Sequence, residues 1–247
     1  MKREIFLDSS KVDEIKKWSG LGMISGVTSN QMIMMNDGVK ANELDGHVKN
    51  MCSVSPGTVS VELTSSEAAV AEMLTEARRL RAIDPKVVVK VPIIPGSTKS
   101  LEIIAGLRRE NIPVNVTAMM TWEQMRMSAE ATHGFDNAYI SLFWARSLDS
   151  RESRLKTEDK LLGADHDINS HPNKIVRATL DLLGTNGWEN PKIIVGSIRS
   201  ARQAGEALAS GAHIVTITPK VLEAMLTDEK TTRTVKEFDE AWKQMGK

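Results

Sequence analysis

Short runs of β-branched and other apolar residues recur along this chain, each separated from the next by helical or irregular sequence. The runs occupy residues 5–8, 24–28, 57–63, 86–92, 112–117, 137–141, 192–196 and 213–218. In the intervals, apolar residues fall at helical spacing, as Val12, Ile15 and Trp18 do. That spacing predicts helices over residues 12–18, 43–51, 68–83, 99–109, 122–132, 175–183, 201–210 and 221–226, with a terminal amphipathic helix over 232–245. Strands that alternate with helices specify an α/β protein with a parallel sheet. Eight such units in 247 residues match the roughly 250 residues of a (β/α)8 TIM barrel. A doubly wound open sheet is the rival, but no GxGxxG or P-loop sequence follows any strand. No Pro/Gly/Ser-rich linker divides residues 1–247, so one domain is expected. The connection from the second to the third run is the least well patterned and is expected to open with a polar loop.

Composition narrows the function classes. Lysine plus arginine and aspartate plus glutamate are 32 each, so the net charge is zero. There is no basic excess to hold a nucleic acid or an anionic membrane surface. One cysteine, Cys52, excludes an intrachain disulfide and any CxxC metal knuckle. No apolar stretch approaches the roughly 20 residues of a membrane span or forms a signal peptide. A soluble cytoplasmic protein with no nucleic-acid or membrane partner is expected.

A barrel carries its chemistry at the C-terminal ends of its strands. Those ends read Asp8, Thr28 and Asn30, Glu62, Lys90, Thr117, Ser141, Ser197 and Thr216. One polar strand end means little, but a polar group at every end points to a site. Lys90 stands out because it interrupts Val87-Val88-Val89 and Val91, a run covered on both faces in a barrel. Burial disfavours the ammonium and frees a nucleophilic amine able to form a Schiff base. The alternative is a lysine that snorkels to the mouth and pairs with Asp8 or Glu62. Asp8 and Glu62 are candidate acid/base groups. Asp8 is freer for that role if Ser9-Ser10 cap the next helix. Arg146, Ser197 and Arg199 suggest an anion site, since Gly196-Ser197-Ile198-Arg199-Ser200 precedes a helix after the seventh strand. Asp165-His166-Asp167 with His171 lacks a recognised metal spacing and reads as a solvated loop. Residues 149–160 read as a solvated loop or short helix. The methionines at 32, 34, 35, 119 and 120 read as adaptable packing.

Phe6-Leu7-Asp8-Ser9-Ser10, Gly26-Val27-Thr28-Ser29-Asn30, Val88-Val89-Lys90-Val91-Pro92 and Asn115-Val116-Thr117-Ala118 resemble the small transaldolase and fructose-6-phosphate aldolase family of class I aldolase barrels. The resemblance extends through Thr218-Pro219-Lys220-Val221-Leu222 and the terminal helix. It implies that Lys90 forms the Schiff base with the C2 carbonyl of a ketose and that Asp8 takes the C4-hydroxyl proton. Glu62 and Thr117 would hold a proton-relaying water. Asn30 and Ser141 would bind hydroxyls of a dihydroxyacetone unit, supported by Thr28. Arg146, Ser197 and Arg199 would grip the phosphate. Sugar phosphates are then the small-molecule partners, no metal or organic cofactor is implied, and a homo-oligomer, pentamer or decamer, is expected. Its contact would be the stripe Val235, Phe238, Ala241, Trp242 and Met245, unless that stripe covers its own barrel.

Glu62 and Phe143 look like the transaldolase choice, where the aldolases are expected to carry glutamine and tyrosine. Without a tyrosine hydroxyl to help protonate the enamine, transfer to an acceptor is favoured over release of free dihydroxyacetone. Three features depart from the family. Gln31 stands where proline usually follows Asn30, residues 147–170 form a longer and more charged connection, and Leu142-Phe143-Trp144-Ala145-Arg146 replaces Pro-Phe-Val-Gly-Arg. The last two lie beside the expected anion site, so a 6-sulfofructose transaldolase is an alternative. A dihydroxyacetone-releasing lyase and a non-catalytic sugar-phosphate-binding barrel are the others.

Overall fold

The computed structural model describes residues 3–157 and 167–246, with residues 151–157 described by their backbone. Its eight strands are β1 (Glu4–Asp8), β2 (Gly26–Thr28), β3 (Val59–Glu62), β4 (Val87–Pro92), β5 (Val114–Met119), β6 (Ala138–Phe143), β7 (Lys192–Gly196) and β8 (Ile214–Ile217). They pair in sequence order, all parallel, and β8 closes on β1 to complete a barrel. The helices outside are α1 (Val12–Gly20), α2 (Gln31–Asn36), α3 (Leu44–Val54), α4 (Val70–Ile83), α5 (Lys99–Arg109), α6 (Trp122–Thr132), α7 (Trp144–Thr157), α8 (Pro172–Thr185), α9 (Ala201–Ala209), α10 (Pro219–Ala224) and α11 (Glu229–Gln244). The fold is the (β/α)8 TIM barrel. Among the described residues no helix is long and apolar enough to cross a membrane.

Two apolar cores hold the barrel, and the two-residue period of a strand separates them. Val87, Val89 and Val91 of β4 are fully buried in the core between sheet and helices. The residues between them face inward. There Phe6, Val88, Tyr139, Ile194 and Ile214 form a second, interior core, one residue each from β1, β4, β6, β7 and β8. Gly26 admits the Phe6 ring to this core, since a Cβ at Gly26 would stand 2.7 Å from the ring. Two residues further along these strands come Asp8, Lys90, Ser141, Gly196 and Thr216, which all line one cavity. Register thus carries the chain from an apolar floor to a polar mouth within one step of the inner face.

Helix boundaries depart from expectation where local capping, or a lone buried anchor, replaces an apolar stripe. The polar loop expected after the second run contains α2 and a 3-10 turn at Ala41–Glu43. Asn30 starts α2 by accepting from the Ile33 N–H at 3.0 Å. Of its methionines only Met34 is buried, while Met32 and Met35 are exposed; Met119 is buried in β5. The packing role thus holds for Met34 and Met119, not for the outward pair. Residues 144–157 are helical where a loop or short helix was expected over 149–160, and residues 158–160 lie outside the described residues. Trp144, Ala145 and Ser147 bury the start of α7, and charged residues follow without a stripe to announce them. Ser9 and Ser10 do not cap α1. Its N-cap position is Lys11, Ser9 Oγ accepts from Lys11 N–H, and Ser10 Oγ donates to Asp37 Oδ2 at 2.8 Å.

Candidate active site

The cavity at the barrel mouth has a volume of about 90 Å³. Lys90 is 4% exposed and its Nζ reaches this cavity from β4. Nζ donates to the Ser29 carbonyl at 2.9 Å and lies 3.4 Å from Glu62 Oε2. The pairing follows from register, because Glu62 of β3 is the direct neighbour of Lys90. Lys90 is therefore both buried and paired, and its partner Glu62 is half-buried at the end of β3. Ser29 holds the lysine through its backbone carbonyl, and its own N–H and Oγ both donate to Ser60 O. Sequence reasoning missed Ser29, since a backbone acceptor leaves no mark in a side-chain pattern.

Asp8 ends β1 beside Lys90 and Thr28. Thr28 Oγ1 donates to Asp8 Oδ1 at 2.6 Å. The carboxylate is partly open to the cavity yet deep in the protein mass, and this burial raises its pKa above the ordinary carboxylate range. The charge of Lys90 and the Thr28 hydroxyl pull the other way and do not overcome it. A carboxyl so placed accepts and returns a proton more readily near neutral pH than an ordinary aspartate. Thr117 Oγ1 is buried in the same cavity without a protein partner, free to bond a ligand. It precedes Ala118, whose φ is +63°, at a register shift between Val116 and Met119. Such a bulge re-aims the end of a strand.

Asn30 and Ser141 complete the polar ring. The Asn30 carbonyl oxygen is committed to the α2 cap, which leaves its amide N–H groups as the atoms available to the cavity. Ser141 Oγ donates to Asn115 Oδ1 at 2.7 Å, and Asn115 Nδ2 donates to Ser60 Oγ at 3.2 Å. With its proton so used, Ser141 offers lone pairs to the cavity. Asn115 is fully buried and was read only as part of a motif; a polar residue between Val114 and Val116, where β5 alternates faces, was the available signal.

The wall formed by β6, β7 and α7 is looser. The Arg146 guanidinium lies over the Phe143 ring at 5.5 Å, and both line the cavity with Ser197. Ser197 has φ +54°, and its carbonyl accepts from Ala145 N–H at 3.1 Å, which joins the end of β7 to the start of α7. Arg199 does not join them. Its exposed guanidinium donates to Asp149 Oδ2 at 2.7 Å, and that bond holds the Asp149 carboxyl below its usual range. Gln31, in the place of the expected proline, donates from Nε2 to the Leu63 carbonyl at 2.5 Å, a contact proline cannot make. Asp167 and His171 serve as caps, accepting from Asn169 and Asn173 N–H; Asp165 and His166 lie outside the described residues.

The profile of the Transaldolase/Fructose-6-phosphate aldolase family matches residues 5–247. The chain belongs to this family. A probable transaldolase of Syntrophobacter fumaroxidans is 32% identical over 246 residues, which cover 99% of this chain and 98% of that one. A probable transaldolase of Alkaliphilus metalliredigens is 28% identical over 244 residues, 99% of this chain and 100% of that one. Among solved structures, dihydrodipicolinate synthase from Rhodopseudomonas palustris aligns with a TM-score of 0.58 at 10% identity, covering 88% of this chain and 70% of that one; this likeness is one of fold. The protein is an enzyme of the transaldolase and aldolase kind.

Proposed function

We propose that this transaldolase-family protein moves a dihydroxyacetone unit from a ketose phosphate to an aldose acceptor through an imine on Lys90. The observation that carries the reading is the buried amine of Lys90 beside Glu62, with Asp8 and the unpartnered Thr117 hydroxyl in the same cavity. The neutral amine adds to the C2 carbonyl, and loss of water from the carbinolamine gives the iminium. Asp8 takes the proton of the C4 hydroxyl, the C3–C4 bond breaks, and its electron pair flows into the iminium to leave an enamine. The C4 fragment departs as an aldehyde. When an acceptor aldehyde enters, C3 of the enamine attacks it and Asp8 returns the proton to the new alkoxide. Water then hydrolyses the imine and frees Lys90. Glu62 and Thr117 hold the water that relays protons in the first and last steps.

Asn30 and Ser141 offer the complementary donor and acceptor that two neighbouring hydroxyls of the donor need. Arg146 and Ser197 meet its phosphate, with Arg199 available once Asp149 lets it go. Phe143 supplies a ring face and no hydroxyl, so the enamine outlives the first aldehyde and transfer prevails over release. The test is turnover with donor alone and with acceptor added, together with borohydride reduction and mapping of the adduct. An adduct on Lys90 and acceptor-dependent turnover are expected. Fast release of dihydroxyacetone from donor alone overturns the transfer reading, and binding without any adduct favours a non-catalytic barrel. A screen of phosphorylated against sulfonated ketoses decides the anion. The helix α11 buries none of its residues and exposes Val235, Phe238 and Trp242, with Met245 exposed just after it. We propose that this stripe packs against a second copy, and a monomer by light scattering at micromolar concentration would contradict it.

A further inference from the structure

The proposed mechanism uses Asp8 but leaves one inward strand-end hydroxyl without a role, that of Thr216 on β8. Thr216 lies 6% exposed in the cavity wall, and its Oγ1 stands 2.5 Å from Thr28 Oγ1. Thr28 Oγ1 is in turn 2.6 Å from Asp8 Oδ1. β8 and β2 flank β1 on either side, so the two hydroxyls reach across the strand that carries the aspartate. The geometry points to Thr216 as a positioning residue for Asp8, acting through the Thr28 hydroxyl as the second link of a two-hydroxyl relay.

A hydroxyl has one proton to give. When Asp8 is ionised, Thr28 spends its proton on the carboxylate, so the contact between the threonines must use the proton of Thr216. When Asp8 holds a proton on Oδ1, the order reverses: Asp8 donates to Thr28, Thr28 to Thr216, and the Thr216 hydroxyl turns toward the cavity. The same three oxygens therefore serve both states that an acid/base group must visit. Polarisation along the chain strengthens each bond, and in the ionised state the net effect is to favour the carboxylate. The methyl of Thr216 fixes the direction. A Cβ at Gly196 would stand 3.1 Å from Thr216 Cγ2, so that methyl rests where Gly196 has no side chain. A β-branched residue with its methyl seated in this way has its χ1, and hence its hydroxyl, set.

Removing the Thr216 hydroxyl weakens the bond from Thr28 and disfavours the ionised carboxylate. The charged groups facing Asp8 are Lys90 and Arg146 in the cavity and Lys11, Glu14, Asp37 and Lys220 in the neighbouring groove. None of them bonds to Thr216, so the substitution leaves them in place.

This inference rests on the reading of Asp8 as the group that takes the C4-hydroxyl proton, and the experiment separates the two. Thr216→Val removes the hydroxyl at nearly constant volume, Thr216→Ala does so if valine does not fold, and Thr216→Ser keeps it. Donor-to-acceptor transfer is measured against pH for each, and Asp8 is titrated by carbon-13 carboxyl NMR in the free protein. Thr216→Val is expected to move the acid limb of kcat/KM and the Asp8 titration upward by about half a pH unit. It should lower kcat about threefold below that limb, the factor a half-unit shift gives, with KM within about twofold. Thr216→Ser keeps the hydroxyl and loses only the methyl that directs it, so it is expected to bring both profiles most of the way back to wild type. Coincident profiles for wild type and Thr216→Val overturn the relay, as does a serine variant no better than valine. If wild type gives no borohydride adduct on Lys90, the proposed reaction falls, while the NMR titration still decides the relay.

Discussion

Two walls face each other across the cavity and are built in opposite ways. On the side of β1, β2, β3, β4 and β8, side chains are bonded to one another before any ligand arrives: Asp8 to Thr28, Thr28 to Thr216, Lys90 to Ser29 and toward Glu62. On the side of β6, β7 and α7, the cations are held loosely. Arg146 rests on the Phe143 ring and Arg199 is turned away to Asp149 in an exposed pair. The difference matches the work proposed for each side. Bond making fails when reacting atoms are misplaced by an ångström, so the amine and carboxylate must be placed in advance. A phosphate needs only charge and hydrogen-bond donors, which can gather when it binds.

The contrast breaks most severely at Lys90. Lys90→Met is expected to lower turnover by about four orders of magnitude or more, because no other group supplies the imine; loss of the borohydride-trapped adduct, read by mass spectrometry, accompanies it. Asp8→Asn comes next, with kcat down about 10²- to 10⁴-fold, the range general acid/base groups contribute, while the Lys90 adduct is retained. The same variant should melt higher at neutral pH. Burial raises the Asp8 carboxyl, so the folded chain holds its proton more tightly than the unfolded chain. Stability therefore falls as pH rises from the unfolded value of about 3.9 through the folded one, and asparagine removes that penalty.

The loose wall should answer in KM rather than kcat. Arg146→Ala is expected to raise KM for a phosphorylated donor about ten- to a hundredfold, with kcat within about threefold, as loss of a charge-assisted contact predicts. Arg199→Ala should do less, since its guanidinium starts out paired with Asp149. Equal effects in kcat from Arg146 and Asp8 variants would erase the division between the walls. The smallest expected effect lies at the opposite end of the barrel. His213 Nδ1 accepts from the Ile193 N–H at 2.8 Å, and burial lowers the imidazole pKa below its ordinary value. As pH falls through about 6.5 the unfolded chain takes up the proton first, so urea stability should decline with acidification. His213→Gln should flatten that decline without changing activity at neutral pH.

Much of this arrangement is legible in the chain. The valines around Lys90 mark a strand covered on both faces, and the eight-fold alternation places that strand fourth in a barrel. The helices at Lys99–Arg109 and Trp122–Thr132 fall where apolar periodicity puts them. The less legible parts are those whose structure comes from something other than a stripe. α2 is started by the Asn30 side chain, and α7 is anchored by Trp144 at one end and then runs through charge. The departure of Arg199 from the cavity depends on Asp149, fifty positions away in sequence and close only after folding. Likewise the Ser29 carbonyl is a partner of Lys90 that any residue type could have supplied.

The sequence by itself determined which residues alternate between apolar and polar along each strand. Since side chains in a strand take opposite faces with a period of two, it also determined that Asp8, Lys90, Ser141 and Thr216 share the inner face with Phe6, Val88, Tyr139 and Ile214 beneath them. Only the tertiary structure decided how those strands stand beside one another. Stagger between neighbours is fixed by backbone hydrogen bonds and by the packing of side chains from different strands. It is this stagger that sets Glu62 opposite Lys90 and brings a hydroxyl from β8 within 2.5 Å of one from β2.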